Sequence, residues 1–103
     1  MVPPDTNLVV LVGTLAAPAD VRRHPSGVVR LELTVATRST GPPRRVDAIP
    51  VIWWDPPPAA HAFAVGTRLS IVGGVRRRFW ATEEGRQSRL EVHASLVEAE
   101  PAD

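Results

Sequence analysis

Three arginines followed by two aromatic residues stand at the end of an apolar run, in the segment Val75-Arg76-Arg77-Arg78-Phe79-Trp80. A guanidinium group pairs with phosphate through a planar fork of N–H donors, and an indole ring offers a nucleic-acid base a flat surface for stacking. The segment therefore predicts a groove for nucleic acid, single-stranded in preference to duplex. It favours binding over catalysis.

Two more tryptophans, Trp53 and Trp54, are adjacent in the sequence. On a regular strand, neighbouring side chains point to opposite faces, so one ring is expected to pack inside and the other to lie outside. A bulge at Pro50 would exchange the two rings. Both are candidates for base contact together with Trp80, whereas Phe79 is expected in the core or in a subunit interface.

The arginines near these rings are the candidate phosphate ligands. Strand alternation puts Arg76 and Arg78 on the same face as Trp80 and leaves Arg77 on the other. Further candidates lie at predicted strand ends and in loops, namely Arg22, Arg38, Arg44 and Arg45. As a set they fit a groove that follows the phosphates and binds with an affinity that falls as salt rises.

No residue pattern indicates catalysis. His24, His61 and His93 are far apart and lack the spacing of a metal site, and the acidic residues show no paired-carboxylate arrangement. Cysteine is absent, which excludes disulfides and thiolate metal sites and fits a cytoplasmic protein. We therefore expect a protein that is not an enzyme and that uses neither a metal nor a cofactor.

The bulk composition limits the kind of surface that this protein can have. A chain of 103 residues suits one domain, and a formal net charge of +1 rules out a uniformly basic surface. All twelve basic residues are arginine, so a nucleic-acid site must come from local clustering of guanidinium groups. No apolar run is long enough to span a membrane and no secretory signal opens the chain, so we expect a cytoplasmic, nucleoid-associated location.

Alternating apolar and polar residues predict the elements that position these side chains. Five strands are expected, over residues 8–12, 28–38, 46–54, 67–78 and 88–97. A short helix over residues 59–65, ended by Gly66, separates the third strand from the fourth, and Glu83 and Glu84 lie at a hairpin tip. The predicted order is three strands, a helix and two strands. This is the order of the OB-fold, an all-β five-stranded Greek-key barrel. A small sandwich is the alternative, which the single helix disfavours.

The strand pattern also predicts the core and the domain limits. Val29, Leu31, Leu33 and Val35 share one face of the second strand. Leu90, Val92, Ala94 and Leu96 share one face of the fifth. We expect a flexible start over residues 1–6, a binding domain over residues 7–98 and a short acidic end over residues 99–103.

The order of several short motifs resembles that of bacterial single-stranded DNA-binding proteins, over residues 7–98. The family opens with an apolar run and a Val-Gly-x-Leu element, which here are residues 8–12 and Val12-Gly13-Thr14-Leu15. A Pro, an Arg and a turn follow in the family, and here they are Pro18, Arg22 and Pro25-Ser26-Gly27. Residues 65–73 resemble the family's fourth strand, and Arg76 to Trp80 with the Gly85 hairpin match the segment after it.

This resemblance implies an OB-fold that binds single-stranded DNA with little sequence preference, in replication, repair or recombination. It implies a homo-oligomer, usually a tetramer, with replication or repair proteins as partners. It places Trp80 at a base-stacking position. Because Val51-Ile52-Trp53 resembles the family's third strand, it favours Trp53 over Trp54 as the base-facing ring.

Other features leave alternatives open. Ile49-Pro50-Val51-Ile52 is similar to the related primosomal replication protein N, an OB-fold family of dimers, so the oligomer is either a dimer or a tetramer. The loop over residues 39–45 lacks the family's aromatic residue, and Val46 and Asp47 stand where many members have another. The alternative function is an OB-fold protein–protein interaction module with weak or no DNA binding. A third is RNA binding.

Overall fold

Alternating apolar and polar residues build an almost entirely β structure. The computed structural model describes residues 4–100. Its strands are β1 (Val9–Leu15), β2 (Asp20–Arg23), β3 (Val29–Arg38), β4 (Val46–Trp54), β5 (Arg68–Thr82) and β6 (Gly85–Ala99). Residues 1–3 and 101–103, the outer parts of the predicted flexible start and acidic end, lie outside the described residues.

The six strands form one sheet that closes on itself. Their order is β1-β5-β6-β4-β3-β2, and a further pairing of β1 with β3 closes the barrel. All pairings are antiparallel except β4 with β6, where Val51 pairs with Val92 and Ile52 with His93. β1 and β2 both pair with β3, so they are two parts of one interrupted first strand. The predicted OB-fold is confirmed, and β2 is the element that the sequence pattern missed.

The interruption of the first strand is visible in its register. Leu15 pairs with Val35, and the next pair is Asp20 with Glu32, so the first strand carries two more residues than β3 between the same points. Just before this break, β1 approaches β3 closely at Gly13. A Cβ atom at Gly13 would meet the carbonyl oxygen of Ala36, so glycine is required there by backbone contact.

The core confirms the predicted alternation of β3. Leu31, Leu33 and Val35 are fully buried and pack in one cluster. The buried residues that complete the cluster come from the other strands and the connecting segment, namely Leu15, Val51, Ala60, Leu69, Ile71 and Val92.

The prediction for the end of β6 is wrong. Leu96 was expected on the core face, yet it is 50% exposed, and Val97 packs against the core in its place. The cause is a register shift between β5 and β6. Gly73 pairs with Ala94 and Val72 with Leu96, which leaves one extra residue in β6. A bulge of this kind exchanges the two faces for every residue beyond it.

The predicted two-turn helix is also wrong in length and type. The structure has a single 3₁₀ turn, Pro58–Ala62, and Phe63 already has extended backbone angles and packs against the core. A run of prolines precedes this turn, and no side chain caps its first N–H groups. Because five residues are too few to repay helix nucleation, burial of Ala60 and Phe63 determines the local path. Within residues 4–100, no helix is long and apolar enough to cross a membrane.

We predict that Gly13→Ala lowers the free energy of unfolding by about 1–3 kcal/mol, because the new methyl group forces β1 away from the β3 backbone. Urea unfolding followed by tryptophan fluorescence measures the change. The matched control is Gly41→Ala. A Cβ atom there meets nothing within 4 Å, so its unfolding midpoint should stay at the wild-type value. Equal midpoints for all three proteins would contradict the close approach at Gly13.

Candidate nucleic-acid interface

One outer face of the barrel collects most of the predicted site residues. Paired residues in neighbouring strands project to the same side of a sheet. Arg30 pairs with Trp54, Arg76 with Glu91, Arg78 with Arg89 and Trp80 with Gln87. We call this side of β3, β4, β5 and β6 the outer face. It brings Trp54, Trp80, Arg76 and Arg78 together, as a shared binding surface requires.

A buried carboxylate lies at the centre of the outer face. Glu91 is only 1% exposed, and its Oε2 accepts hydrogen bonds from Nε of Arg78 and Nε of Arg89, both at 2.9 Å. Nη2 of Arg30 lies 3.5 Å from the same oxygen, and Nε2 of His93 lies 3.4 Å from Oε1. One glutamate therefore joins side chains from β3, β5 and β6.

A second carboxylate extends this network to its neighbour on β3. Nη2 of Arg89 donates to Oε1 of Glu32 at 2.8 Å, and Nη2 of Arg30 is 3.7 Å from that oxygen. We call Arg30, Glu32, Arg78, Arg89 and Glu91 the ionic cluster. Its three arginines and two glutamates leave one net positive charge.

The ionic cluster borders a buried apolar residue of β4. Ile52 is on the outer face, yet it is completely buried, and it pairs with Glu32 on one side and with His93 on the other. Ile52 therefore lies beside the cluster, and the arginines pair with the carboxylates. Buried carboxylates are tolerated in such a place because they are paired and hydrogen-bonded, whereas the buried Nη2 of Arg30 has no hydrogen-bond partner among residues 4–100.

The protonation states of Glu91 and Arg89 follow from these contacts. Burial acts to raise the pKa of Glu91, but the hydrogen bonds from Arg89 and Arg78 and the charge of Arg78 outweigh it, so the pKa lies below its ordinary value. Burial acts to lower the pKa of Arg89, and the two carboxylates raise it overall. Glu91 and Arg89 are therefore both ionised near neutral pH.

Trp80 is directly connected to the ionic cluster. The guanidinium carbon of Arg78 lies 4.9 Å from the centre of a Trp80 ring, a cation–π contact. On the opposite side of the same hairpin, Arg86 covers the ring of Phe79 at 4.5 Å. Phe79 is exposed, so the part of its prediction that placed it in the core is wrong, and a role in an interface stays a prediction.

The structure reverses the expected placement of the two adjacent tryptophans. β4 pairs with β3 without a register shift from Trp54 to Val46, so no bulge occurs at Pro50. Trp53 consequently follows Val51 inwards and packs against the core, whereas Trp54 is exposed on the outer face. A cleft beside Trp54 is lined by Arg76, Arg77, Arg78, Glu91 and His93.

The ring of Trp54 contacts a histidine from the turn between β2 and β3. The ring centres of His24 and Trp54 are 5.8 Å apart and the planes are nearly perpendicular, at 74°. The side chain of Ser26 lies 3.0 Å from Nδ1 of His24 and holds the imidazole in place. This contact places His24 at the border of the outer face.

The remaining predicted arginines fall in two places. Arg22 pairs with Arg30 across β2 and β3, so it extends the row that contains Trp54, although its Nε is already bound to Asp20 at 3.1 Å. Arg38 has the same strand parity as Arg30 but lies eight residues further along β3, which is roughly 26 Å at the rise of a strand. It therefore belongs to a different part of the surface.

This second basic surface is the loop between β3 and β4. Arg38, Arg44 and Arg45 line one cleft with Ser39, Thr40 and Val46. The Ser39 hydroxyl accepts a hydrogen bond from the backbone N–H of Arg45 at 2.8 Å, and Arg38 donates to the hydroxyl of Thr14 at 3.1 Å. The cleft beside Trp54 and this loop cleft are separate.

Of the ionic cluster, only Arg78 was among the residues predicted from the sequence. Strand alternation places Arg89, Glu91 and His93 together on one side of β6, opposite Val92. This alternation could have been recognised in the sequence. The burial of Glu91 could not, because it depends on long-range pairing with β5 and on the approach of β3. Within the described range 4–100, no group of three or more His, Asp or Glu residues is placed to hold a metal ion.

Comparisons with known proteins agree with this fold. The model of the family described as single-strand binding protein family matches residues 6–99. Among solved structures, the chain is similar to a deletion mutant of the single-stranded DNA binding protein from Thermus aquaticus, with a TM-score of 0.75 and 22% identity. That similarity covers 93% of this chain and 51% of the other, so this chain spans about half the length of that relative.

A search of the curated proteins finds no match. The resemblance to single-stranded DNA-binding proteins is confirmed by the family match, and the shared fold by the solved structure. The similarity to primosomal replication protein N is not shown by these findings.

The lowered pKa of Glu91 predicts a pH dependence of stability. Its stabilising contribution is complete above 4.5, the ordinary pKa of a glutamate, and is lost as the pH falls through the lower pKa of the folded state. Thermal midpoints should therefore fall on acidification more steeply for the wild type than for Glu91→Gln. Glu84→Gln, at the exposed hairpin tip, should behave as the wild type. Parallel profiles for the wild type and Glu91→Gln would contradict the ionised, buried state of Glu91.

Proposed function

The chain belongs to the single-strand binding protein family, and from this premise we propose that it binds single-stranded DNA with little sequence preference. The observation that carries the proposal is the combination of Trp54, Trp80 and exposed arginines on one outer face. The proposed activity is equilibrium binding without catalysis, in replication, repair or recombination. The expected place of action is the nucleoid, with replication or repair proteins as further partners.

Stacking supplies the part of binding that tolerates any sequence. Every base has a π-face, so Trp54 and Trp80 accept each base in similar ways, at roughly 1–3 kcal/mol per stacked base. Trp54 takes the role that the sequence argument favoured for Trp53, because Trp53 packs against the core. Trp80 keeps its role, with one side of its indole already covered by Arg78.

Arginines supply the part of binding that follows the backbone. Arg76 and Arg78 flank the cleft beside Trp54, and Arg22 continues the row at the edge of the sheet. The loop cleft of Arg38, Arg44 and Arg45 is a second phosphate-binding surface on this proposal. Since the two surfaces lie at opposite ends of β3, a strand long enough to contact both should bind with a steeper salt dependence than a short one.

An apolar stripe across β1, β5 and β6 supports homo-oligomer formation. Val10 and Val12 in β1 are exposed, as is Leu8 just before it. Val10 pairs with the half-buried Val72, which in turn pairs with the exposed Leu96. An apolar stripe of this kind is typical of an interaction surface. β1 pairs with β3 only at Thr14 and Leu15, so the rest of its second edge is open. A second copy of this chain is the proposed occupant, in a dimer or a tetramer.

We predict that Trp54→Ala weakens binding of a labelled oligo-dT strand by about tenfold, the loss expected for one stacked base. Fluorescence anisotropy at low and high salt gives the affinities. Trp53→Phe is the matched control. It keeps an aromatic ring in the core and should bind with wild-type affinity. An unchanged affinity for Trp54→Ala would remove Trp54 from the site, and a matched oligo-rU competitor reports the preference for DNA over RNA.

We predict that Val10→Arg reduces the oligomer to a smaller species, because it places a charge in the centre of the apolar stripe. Sedimentation velocity at several protein concentrations measures the change. Val65→Arg introduces the same charge at another exposed valine, outside the stripe, and should sediment as the wild type. A monomeric wild type, or a Val10→Arg variant with the wild-type sedimentation coefficient, would rule out this stripe as the interface.

A further inference from the structure

If positive charge were the only requirement for binding DNA, a buried glutamate at the centre of the binding surface would have no role. Glu91 carries the charge of a phosphate, and a carboxylate among cations reduces their positive potential. However, Glu91 is only 1% exposed, so it cannot reach a bound strand, and all of its close polar contacts are with the side chains that surround it. Its effect on a ligand must pass through those side chains.

The contacts show which side chain transmits the effect. Arg78 uses Nε to donate to Glu91 at 2.9 Å, while its two terminal nitrogens have no partner among residues 4–100. Its side chain is 45% exposed, and its guanidinium lies over Trp80. One edge of the fork is therefore anchored inside the protein, and the other edge is free to pair with a phosphate.

We infer that Glu91 is a positioning residue for DNA binding, which holds the Arg78 guanidinium against Trp80 with its free edge directed outwards. This inference rests on the proposed function. Once anchored, Arg78 contacts one side of the indole, and a base stacks on the other side while a neighbouring phosphate meets the free guanidinium edge. An unanchored arginine would lose rotamer freedom on binding, and the anchored one has already lost it.

Arg89 also binds Glu91, but its guanidinium has fewer nitrogens left for a ligand than that of Arg78. It donates Nε to Glu91 and Nη2 to Glu32, so two of its three nitrogens are used inside the ionic cluster. Arg30 is more deeply buried than either. Their charges offset that of Glu91, which leaves Arg78 as the member of the cluster best placed to touch a ligand.

A positioning role and a purely electrostatic role for Glu91 predict opposite changes in DNA affinity for one substitution. Glu91→Gln keeps the shape of the side chain and raises the charge of the ionic cluster from +1 to +2. If the outer face binds DNA only by its charge, the variant should bind more tightly. If Glu91 positions Arg78, the variant should bind more weakly, because the guanidinium loses its ionic anchor.

The test measures the affinity of the full chain for oligo-dT at several salt concentrations. We expect Glu91→Gln to bind about tenfold more weakly than the wild type, as for the loss of one well-placed charged hydrogen-bond anchor. Glu84→Gln removes the same charge from the exposed tip of the same hairpin, and it should bind as tightly as the wild type or slightly better. Gly13→Ala lowers stability away from the outer face and should keep wild-type affinity while it is folded.

Each outcome decides the inference. Equal or tighter binding by Glu91→Gln overturns it, and so does an equal loss in Gly13→Ala, which would indicate general destabilisation. If Glu91→Gln does not fold, Arg78→Lys decides, because an ammonium bound to Glu91 keeps the charge but has no second edge for phosphate. A loss of about fivefold or more supports positioning, and unchanged affinity overturns it. A wild type that does not bind oligo-dT refutes the proposed function itself.

Discussion

The ion pairing around Glu91 is the constraint on which the outer face depends. Its carboxylate contacts arginines from β3, β5 and β6. β6 pairs directly with β5 on one side, and on the other side it is separated from β3 only by β4. Burying a carboxylate costs several kcal/mol, and this cost is offset only when partners of opposite charge surround it. Here the order of the strands brings those partners together. The arrangement of charge on the outer face therefore depends on this one carboxylate.

This pairing also explains how a chain with a net charge of +1 can present a surface for a polyanion. Net charge counts every group equally, whereas a ligand meets only the groups that are exposed. Glu32 and Glu91 are held inside the ionic cluster, and Glu100 lies near Arg68, 3.7 Å from its Nε. Arg76 and the outer edge of Arg78 stay exposed beside Trp54. Local potential is determined by which charges are paired and buried, and the total is a poor guide to it.

The sequence pattern predicted the β-barrel, the core face of β3 and the hairpin at Glu83 and Glu84 because these depend on local alternation and turn residues. It failed at Leu96, where an extra residue in β6 exchanges the faces, and such bulges are set by the paired strand. It predicted that Trp53 and Trp54 lie on opposite faces but favoured the wrong one for the outside. Strict alternation from the buried Val51 would have placed Trp53 inside. The burial of Glu91 needed three strands at once, which no local pattern contains.

Trp54 and Trp80 differ in the side chains that contact their rings. His24 contacts Trp54 ring to ring, with the two planes nearly perpendicular. Arg78 covers one face of Trp80, so that ring offers a single face with a cation behind it. A cation over one face withdraws electron density from the ring and places positive charge close to the base that stacks on the other. On the proposed function, the two indoles would therefore stack on bases with different neighbours, His24 beside Trp54 and the guanidinium of Arg78 over Trp80.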